Sequence, residues 1–341
     1  MTIIKRVGFP CKYMAPNQNQ SKKILKETQQ NYSEKTTTIT WLESNSKAKV
    51  EKKLWEIINH NTQAVCNLID YVGHLDPEQR MVRIGSDQLP GFTHPNLQYF
   101  WQQKDVLNFL EEKYRIAGEL ARQLDVRLSM HPGQFVVLAS TSPEVVERSM
   151  LEFEYHANLI RWMGYGKTFQ DFKCNVHISG KQGPEGIKLI LGRLSPEARN
   201  SITIENDEMS WGIDASLELE KHVALVLDIH HHWIKTGEYI QTNDDRVRRI
   251  IDSWRGIRPV IHYSVSPEQV LMNHPTDVLP DLNKLLSLGY NKSQLRQHSD
   301  LMWNSACNSW AGTFRQDFDI MVEAKNKNLA SIPFEMATRH C

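Results

Sequence analysis

Six short apolar runs of this chain each deliver a histidine or a carboxylate at or near their C-terminal end. RLSM is followed by His131, NVHI carries His177 and ITIE ends in Glu205. ALVLD ends in Asp228, with His230, His231 and His232 behind it. PVIHY carries His262, and DIMVE ends in Glu323. One imidazole at a strand tip is ordinarily just a satisfied polar residue, but six ionisable tips in succession do not share that explanation. Carboxylates buried among imidazoles are costly unless a cation compensates them. A mixed His/carboxylate set suits Zn²⁺, Mn²⁺ or Fe²⁺. The set exceeds the needs of one ion, so a cluster with at least one bridging carboxylate is expected. Ions held roughly 3.5–4 Å apart clamp the oxygens of a phosphoryl centre. Comparable sets hold the polyols of sugar isomerases, so the ligands alone leave both chemistries open.

Those tips need strands to bring them together. Strands are expected over residues 3–9, 81–85, 127–130, 175–178, 201–206, 224–228, 259–263 and 319–323. Helical spacing is read over 50–72, 104–124, 142–163, 184–194, 214–222, 244–254 and 278–288. The third of these helices has Pro143 at its first position, which suits an N-terminus. Eight continuously apolar strands separated mostly by helices argue for a parallel sheet covered on both faces. The count of eight argues for a closed (β/α)₈ barrel, an α/β fold whose strand tips converge on one face. An open doubly wound sheet would show a Gly-rich phosphate turn after its first strand, and VGFPCKY is not one. No repeat or linker divides the chain, so a single domain over 1–341 is expected. Residues 12–49 read as a long polar first loop, and 328–341 as a C-terminal tail.

Lys+Arg and Asp+Glu both number 40, so net charge is zero and any nucleic-acid footprint must be local. Candidates for such contacts are Lys22, Lys23, Lys26 and Arg83, whereas Arg246, Arg248 and Arg249 read as a solvated helix face. Five cysteines without a CxxC spacing indicate reduced thiols. With no signal peptide or membrane-length run, a cytoplasmic protein with no membrane partner is expected.

The stretch RLSMHPGQF shows more. Pro132-Gly133 breaks the strand just after His131, leaving Gln134 and Phe135 on the following loop. RLSMHPGQF, NVHISG, ITIEND, LVLDIHHH, IHYSV, QHSD and MVEAKNK, in this order, resemble the UV-damage endonuclease (UvdE-type) family. VGFPC, RIGSDQLPGFTHP and SPEVVERS agree with it. The resemblance spans Arg6 to Lys327. It implies a TIM barrel of the endonuclease IV and xylose-isomerase type. It also implies metal-dependent cleavage of damaged double-stranded DNA immediately 5′ to UV photoproducts and some other lesions, leaving a 3′-hydroxyl, by a monomer that associates with the nucleoid when bound.

By resemblance, one ion is held by His131, His177 and Glu205, and a second by Glu205, Asp228, His262 and Glu323. A third is held by His231 and His298, the latter identified by the resemblance alone. Two to three ions, manganese first with zinc or iron as alternatives, are the implied cofactor. Glu205, His131 and Glu323 are the implied catalytic residues. Gln134 and Phe135 match a pair that wedges into the duplex at the lesion, with Phe9 at a third probing position. Inserting a side chain offsets part of an unstacking cost of about a few kcal/mol. His230 and His232 read as structural neighbours of a ligand, and Lys325 equally as a solvated lysine. The family commonly has a Lys two residues before the seventh-strand His. Here that position is Val260, so the third site is expected to be weak, with Asp300 a possible helper. A sugar isomerase or epimerase on the same barrel and a non-catalytic lesion-binding protein are the alternatives.

Overall fold

The structure is a computed structural model and describes residues 4–340; Ile3, the expected start of the first strand, lies outside them. Eight strands close a barrel in sequence order: β1 (Val7–Pro10), β2 (Met81–Ile84), β3 (Arg127–Met130), β4 (Lys173–His177), β5 (Ile202–Glu205), β6 (Ala224–Asp228), β7 (Val260–Tyr263) and β8 (Asp319–Val322). All eight pairings are parallel, and β1 pairs β8 to complete the ring. The strands are short and buried on both faces because helices cover the outside and side chains fill the inside. The register does the positioning. His177 lies opposite Glu205 across β4–β5, and Asp228 lies opposite His262 across β6–β7.

The other end of the barrel is tied by Asp319, which is fully buried. Its oxygens accept from the Arg6 backbone N–H at 2.8 Å, Arg127 Nη1 at 2.6 Å and Arg258 Nε at 2.8 Å. A buried carboxylate persists only when satisfied in this way.

Residues 12–49 are not an open loop. They form the helices Lys22–Gln30 and Ile39–Ser44. Ser21 and Thr38 cap them by accepting the backbone N–H groups of Ile24 and Trp41. Tyr13 and Tyr32 (ring centroids 4.5 Å apart) and Tyr71 form an aromatic cluster beneath the segment. The Asn61 amide fastens it by pairing with both backbone groups of Lys35, at 2.7 and 2.9 Å. The expected tail is likewise ordered, as the helix Asn328–Thr338 packed against β1. Arg315, 1 % exposed on its side chain, joins that helix to the barrel through Glu335, Thr338, Glu78 and the Lys5 carbonyl.

The helix expected over 278–288 begins only at Leu282, because Pro280 lacks a donor and the Asp281 side chain caps the backbone N–H of Lys284. The helix expected over 184–194 is Gly183–Leu191, followed by a second, Pro196–Ser201, capped by Ser195.

Candidate metal centre

Glu205, 1 % exposed at the tip of β5, is the hub of the site. Its Oε2 lies 3.4 Å from His131 Nε2 and 4.0 Å from His177 Nε2. Its Oε1 lies 3.0 Å from His262 Nδ1 and 3.7 Å from His231 Nδ1. Two triads could each hold an ion: His131, His177 and Glu205, and Glu205, Asp228 and His262. Glu205 is common to both. Glu323 closes the far side, with Oε1 3.4 Å from His262 Nδ1 and Oε2 3.8 Å from His298 Nε2. The eight expected ligands therefore face one barrel mouth.

Neighbouring groups fix the tautomers. His131 Nδ1 faces the Pro132 carbonyl at 2.8 Å and His231 Nδ1 the Asn206 carbonyl at 3.1 Å. In the neutral ring, donation to those carbonyls leaves each Nε2 as the nitrogen available to a metal. Asp207 Oδ2 lies 3.5 Å from His177 Nδ1, an electrostatic contact only.

The donor chemistry fits a bound cation. Asp228 is fully buried; its Oδ1 accepts the His231 backbone N–H at 2.7 Å, but its Oδ2 has no hydrogen-bond partner. A buried orphan carboxylate oxygen calls for an unseen positive partner. The charges around the site point the same way. Burial alone would raise Glu205, but His262, His177 and hydrogen bonds from His131 and His262 hold it well below the usual carboxylate range. Glu323 is held low against burial by Arg83 and His262. Burial pushes Asp228 up to about 8. Burial would lower His231, but Asp228, Glu205 and Glu208 raise it to about 10. Without a cation, the site therefore retains a proton across His231 and Asp228.

Several expectations are corrected. Phe9 is 1 % exposed in the barrel core, since both faces of β1 are buried, and it is not placed to touch DNA. Arg83 points into the mouth, ion-paired to Glu323, and is not a surface contact. Asp300 is engaged by Lys325, 3.5 Å away, and by Gln269. Val260 packs with Met81, Ala224, Val226, Trp254 and Met321.

An amine reaches the cluster from another strand: buried Lys173 on β4 sets its Nζ 2.7 Å from His262 Nε2. That residue, Asn175 (which donates to Glu205) and Asn206 were missed by sequence reasoning. The signal for the first two was the polar alternation Lys173, Asn175, His177, which places all three on one face of β4. His230 is spent on Ser264 and on stacking with Trp233, and His232 on Glu238. Trp303 and Trp310 donate to the Ser266 and Ile240 carbonyls. Arg246 pairs with Asp244 and Glu238, as a solvated face would. Lys22, Lys23 and Lys26 are exposed.

Gln134 and Phe135 stand out from the mouth, Phe135 with 65 % of its surface exposed. The Phe135 ring lies over Gly133, where a Cβ would come within 2.4 Å of it, so a larger residue at 133 would displace the ring. Gln134 borders a cavity of about 580 Å³ lined by His131, His177, His231 and His298, while Phe135 borders a neighbouring one of about 600 Å³ lined by Asp87, Phe92, Arg148 and Glu152.

Comparison with known proteins agrees with this picture. A family model described as UV-endonuclease UvdE matches residues 19–339. The UV DNA damage endonuclease of Bacillus cereus is 24% identical over 311 residues, covering 88% of this chain and 87% of that protein. The Bacillus thuringiensis protein of the same name is 24% identical over 313 residues, with the same coverage. The crystal structure of SacUVDE superposes with a TM-score of 0.69 at 22% identity, covering 98% of this chain and 96% of that one.

Proposed function

Because the chain belongs to the UvdE family of UV endonucleases, we propose that it is a single-domain, monomeric DNA repair endonuclease of the cytoplasm, acting on UV-damaged double-stranded DNA. The bond hydrolysed is the phosphodiester immediately 5′ to a photoproduct, leaving a 3′-hydroxyl. The observation that carries the reading is Glu205, which reaches both His262 (3.0 Å) and His131 (3.4 Å) and so bridges two ligand sets.

Two to three ions, manganese first and zinc or iron as alternatives, would be held by His131, His177, Glu205, Asp228, His262 and Glu323, with His231 and His298 beside them. When bound, they would supply charge stabilisation at the phosphate and a nucleophile near neutral pH. The protein's own groups do the rest. Asn175 and Arg83 orient Glu205 and Glu323. The Pro132 and Asn206 carbonyls fix the rings of His131 and His231. Gln134 and Phe135, projecting beside His131, enter the duplex where a lesion has weakened stacking.

A sugar isomerase would want a closed pocket, and the exposed Gln134 and Phe135 argue against one. Against a non-catalytic lesion binder stands the full set of ligand residues. The test is nicking of UV-irradiated against untreated supercoiled plasmid, with and without Mn²⁺. The expected result is lesion-dependent nicking that is lost in a folded His131→Ala variant. Absence of such nicking with any divalent metal overturns the proposal.

A further inference from the structure

The cavity at the barrel mouth is lined by two carboxylates that none of the expected ligand sets includes, Asp207, which faces His177, and Glu208. Glu208 follows β5 by three residues in ITIENDE, and its side chain is 9 % exposed. Its Oε1 accepts from Arg296 Nη1 at 2.8 Å. Its Oε2 is thereby turned toward His231 Nε2, 3.6 Å away. That separation is too long for a hydrogen bond. It suits two ligands of one ion, which sit about 3.4 Å apart when each is about 2.1 Å from a tetrahedral centre.

Two further observations point to a cation here. His231 directs Nδ1 at the Asn206 carbonyl, so its Nε2 is the ring nitrogen left to face Glu208. The unpartnered Oδ2 of fully buried Asp228 lies 3.7 Å from the same Nε2. Two carboxylate oxygens thus flank one imidazole nitrogen, which becomes a metal-accepting lone pair once an ion displaces its proton. His298 lines the same cavity, two residues beyond Arg296.

We propose that Glu208 is the carboxylate ligand of the ion at His231, completing with His298 the site that Val260 leaves short. Arg296 acts as its carrier, engaging one oxygen and presenting the other. The ion pair spans two loops, so it also fixes the His298 segment against the segment following β5. This inference rests on the metal reading proposed above.

The test is metal counting on the full chain, stripped with a chelator and titrated with Mn²⁺ while free ion is followed by EPR. The wild-type chain is expected to bind three ions, the last most weakly. Glu208→Gln, which keeps an oxygen for Arg296, should weaken that last class at least tenfold and leave the others in place. His231→Ala should remove the same class, and adding Glu208→Gln to it should change nothing more. Arg296→Met, which leaves the carboxylate in place but unheld, should weaken the third ion less than Glu208→Gln does. Superimposable isotherms for the wild type and Glu208→Gln overturn the assignment while leaving the metal reading intact. So does loss of the third ion in Arg296→Met equal to that in Glu208→Gln, because the ion pair and not ligation would then be the cause. A wild-type chain that binds no ion overturns both readings.

Discussion

Lys173 Nζ lies 2.7 Å from His262 Nε2, inside the barrel and away from water. The other ring nitrogen, Nδ1, faces Glu205 and Glu323. If Nδ1 is to bind an ion it must be unprotonated, so Nε2 carries the hydrogen and the amine accepts it. Burial lowers Lys173 to about 7, which makes the neutral amine accessible. Lys173→Met should keep the fold but lose this orientation, weakening metal binding by about ten- to a hundredfold. Lys173→Arg, a permanent donor, should be worse still. An unchanged Mn²⁺ isotherm for both variants would show that the contact is incidental.

Metal binding should release protons. His231 is raised to about 10 and Asp228 to about 8 in the metal-free site, so an ion must displace what they hold. Both shifts are upward, so both groups bind protons more tightly folded than unfolded. The stability His231 contributes is complete below its unfolded value of about 6.5 and fades toward about 10. Asp228 adds a loss that begins above its unfolded value of about 3.8, so chelated protein should lose thermal stability between about pH 4 and 10, and added Mn²⁺ should reverse the trend. Calorimetry at pH 7 in two buffers of different ionisation enthalpy measures the release; identical heats would contradict it.

The two phenylalanines of the expected probe should behave oppositely. Phe135 is largely exposed, so Phe135→Ala should change stability by no more than about 0.5 kcal/mol. It should reduce the preference for irradiated over untreated plasmid by about five- to a hundredfold, the range of lost base–aromatic stacking. Phe9 is in the core, and Phe9→Ala should cost about 3–5 kcal/mol in urea unfolding. A Phe9→Ala variant of normal stability with altered lesion preference would restore Phe9 to the probe.

Glu335 offers a test far from the mouth. Burial would raise its carboxyl, but Arg339, Gln79 and Arg315 hold it down, at about 2. A depressed carboxyl contributes stability that is present above its ordinary value of about 4.5 and is lost as pH falls toward 2. Glu335→Gln leaves Arg315 buried and underpaired, so it should cost about 3 kcal/mol or more near neutral pH. It should also flatten the acid limb of the stability curve between about pH 4.5 and 2. Retention of the wild-type acid limb would place the acid sensitivity elsewhere.

Where an element is a continuous apolar run, the sequence is a reliable guide: residues 224–228 were read as the strand they form. Placing the start of β4 at residue 175 concealed Lys173, because a lysine next to an apolar run looks like a boundary unless its alternation with Asn175 and His177 is noticed. The segment 12–49 was misread for a different reason. Its polarity hides two capped helices, and its anchors, Asn61 and Tyr71, lie later in the chain. The ligands at strand tips were legible because the barrel itself gathers them. Glu208 and Arg296 were not, since two loops 88 residues apart meet only in three dimensions.

Only Pro132 and Gly133 separate His131 from Gln134 and Phe135, and Gly133 is the floor on which the Phe135 ring rests. On the proposed reading, recognition and scission are therefore joined by a covalent ruler four residues long. Its length does not depend on what distorts the helix, so chemically different lesions would be cut at one constant offset from the point of insertion. A residue inserted between His131 and Gln134 would lengthen the ruler, moving the nick or abolishing it while leaving the metal ligands untouched.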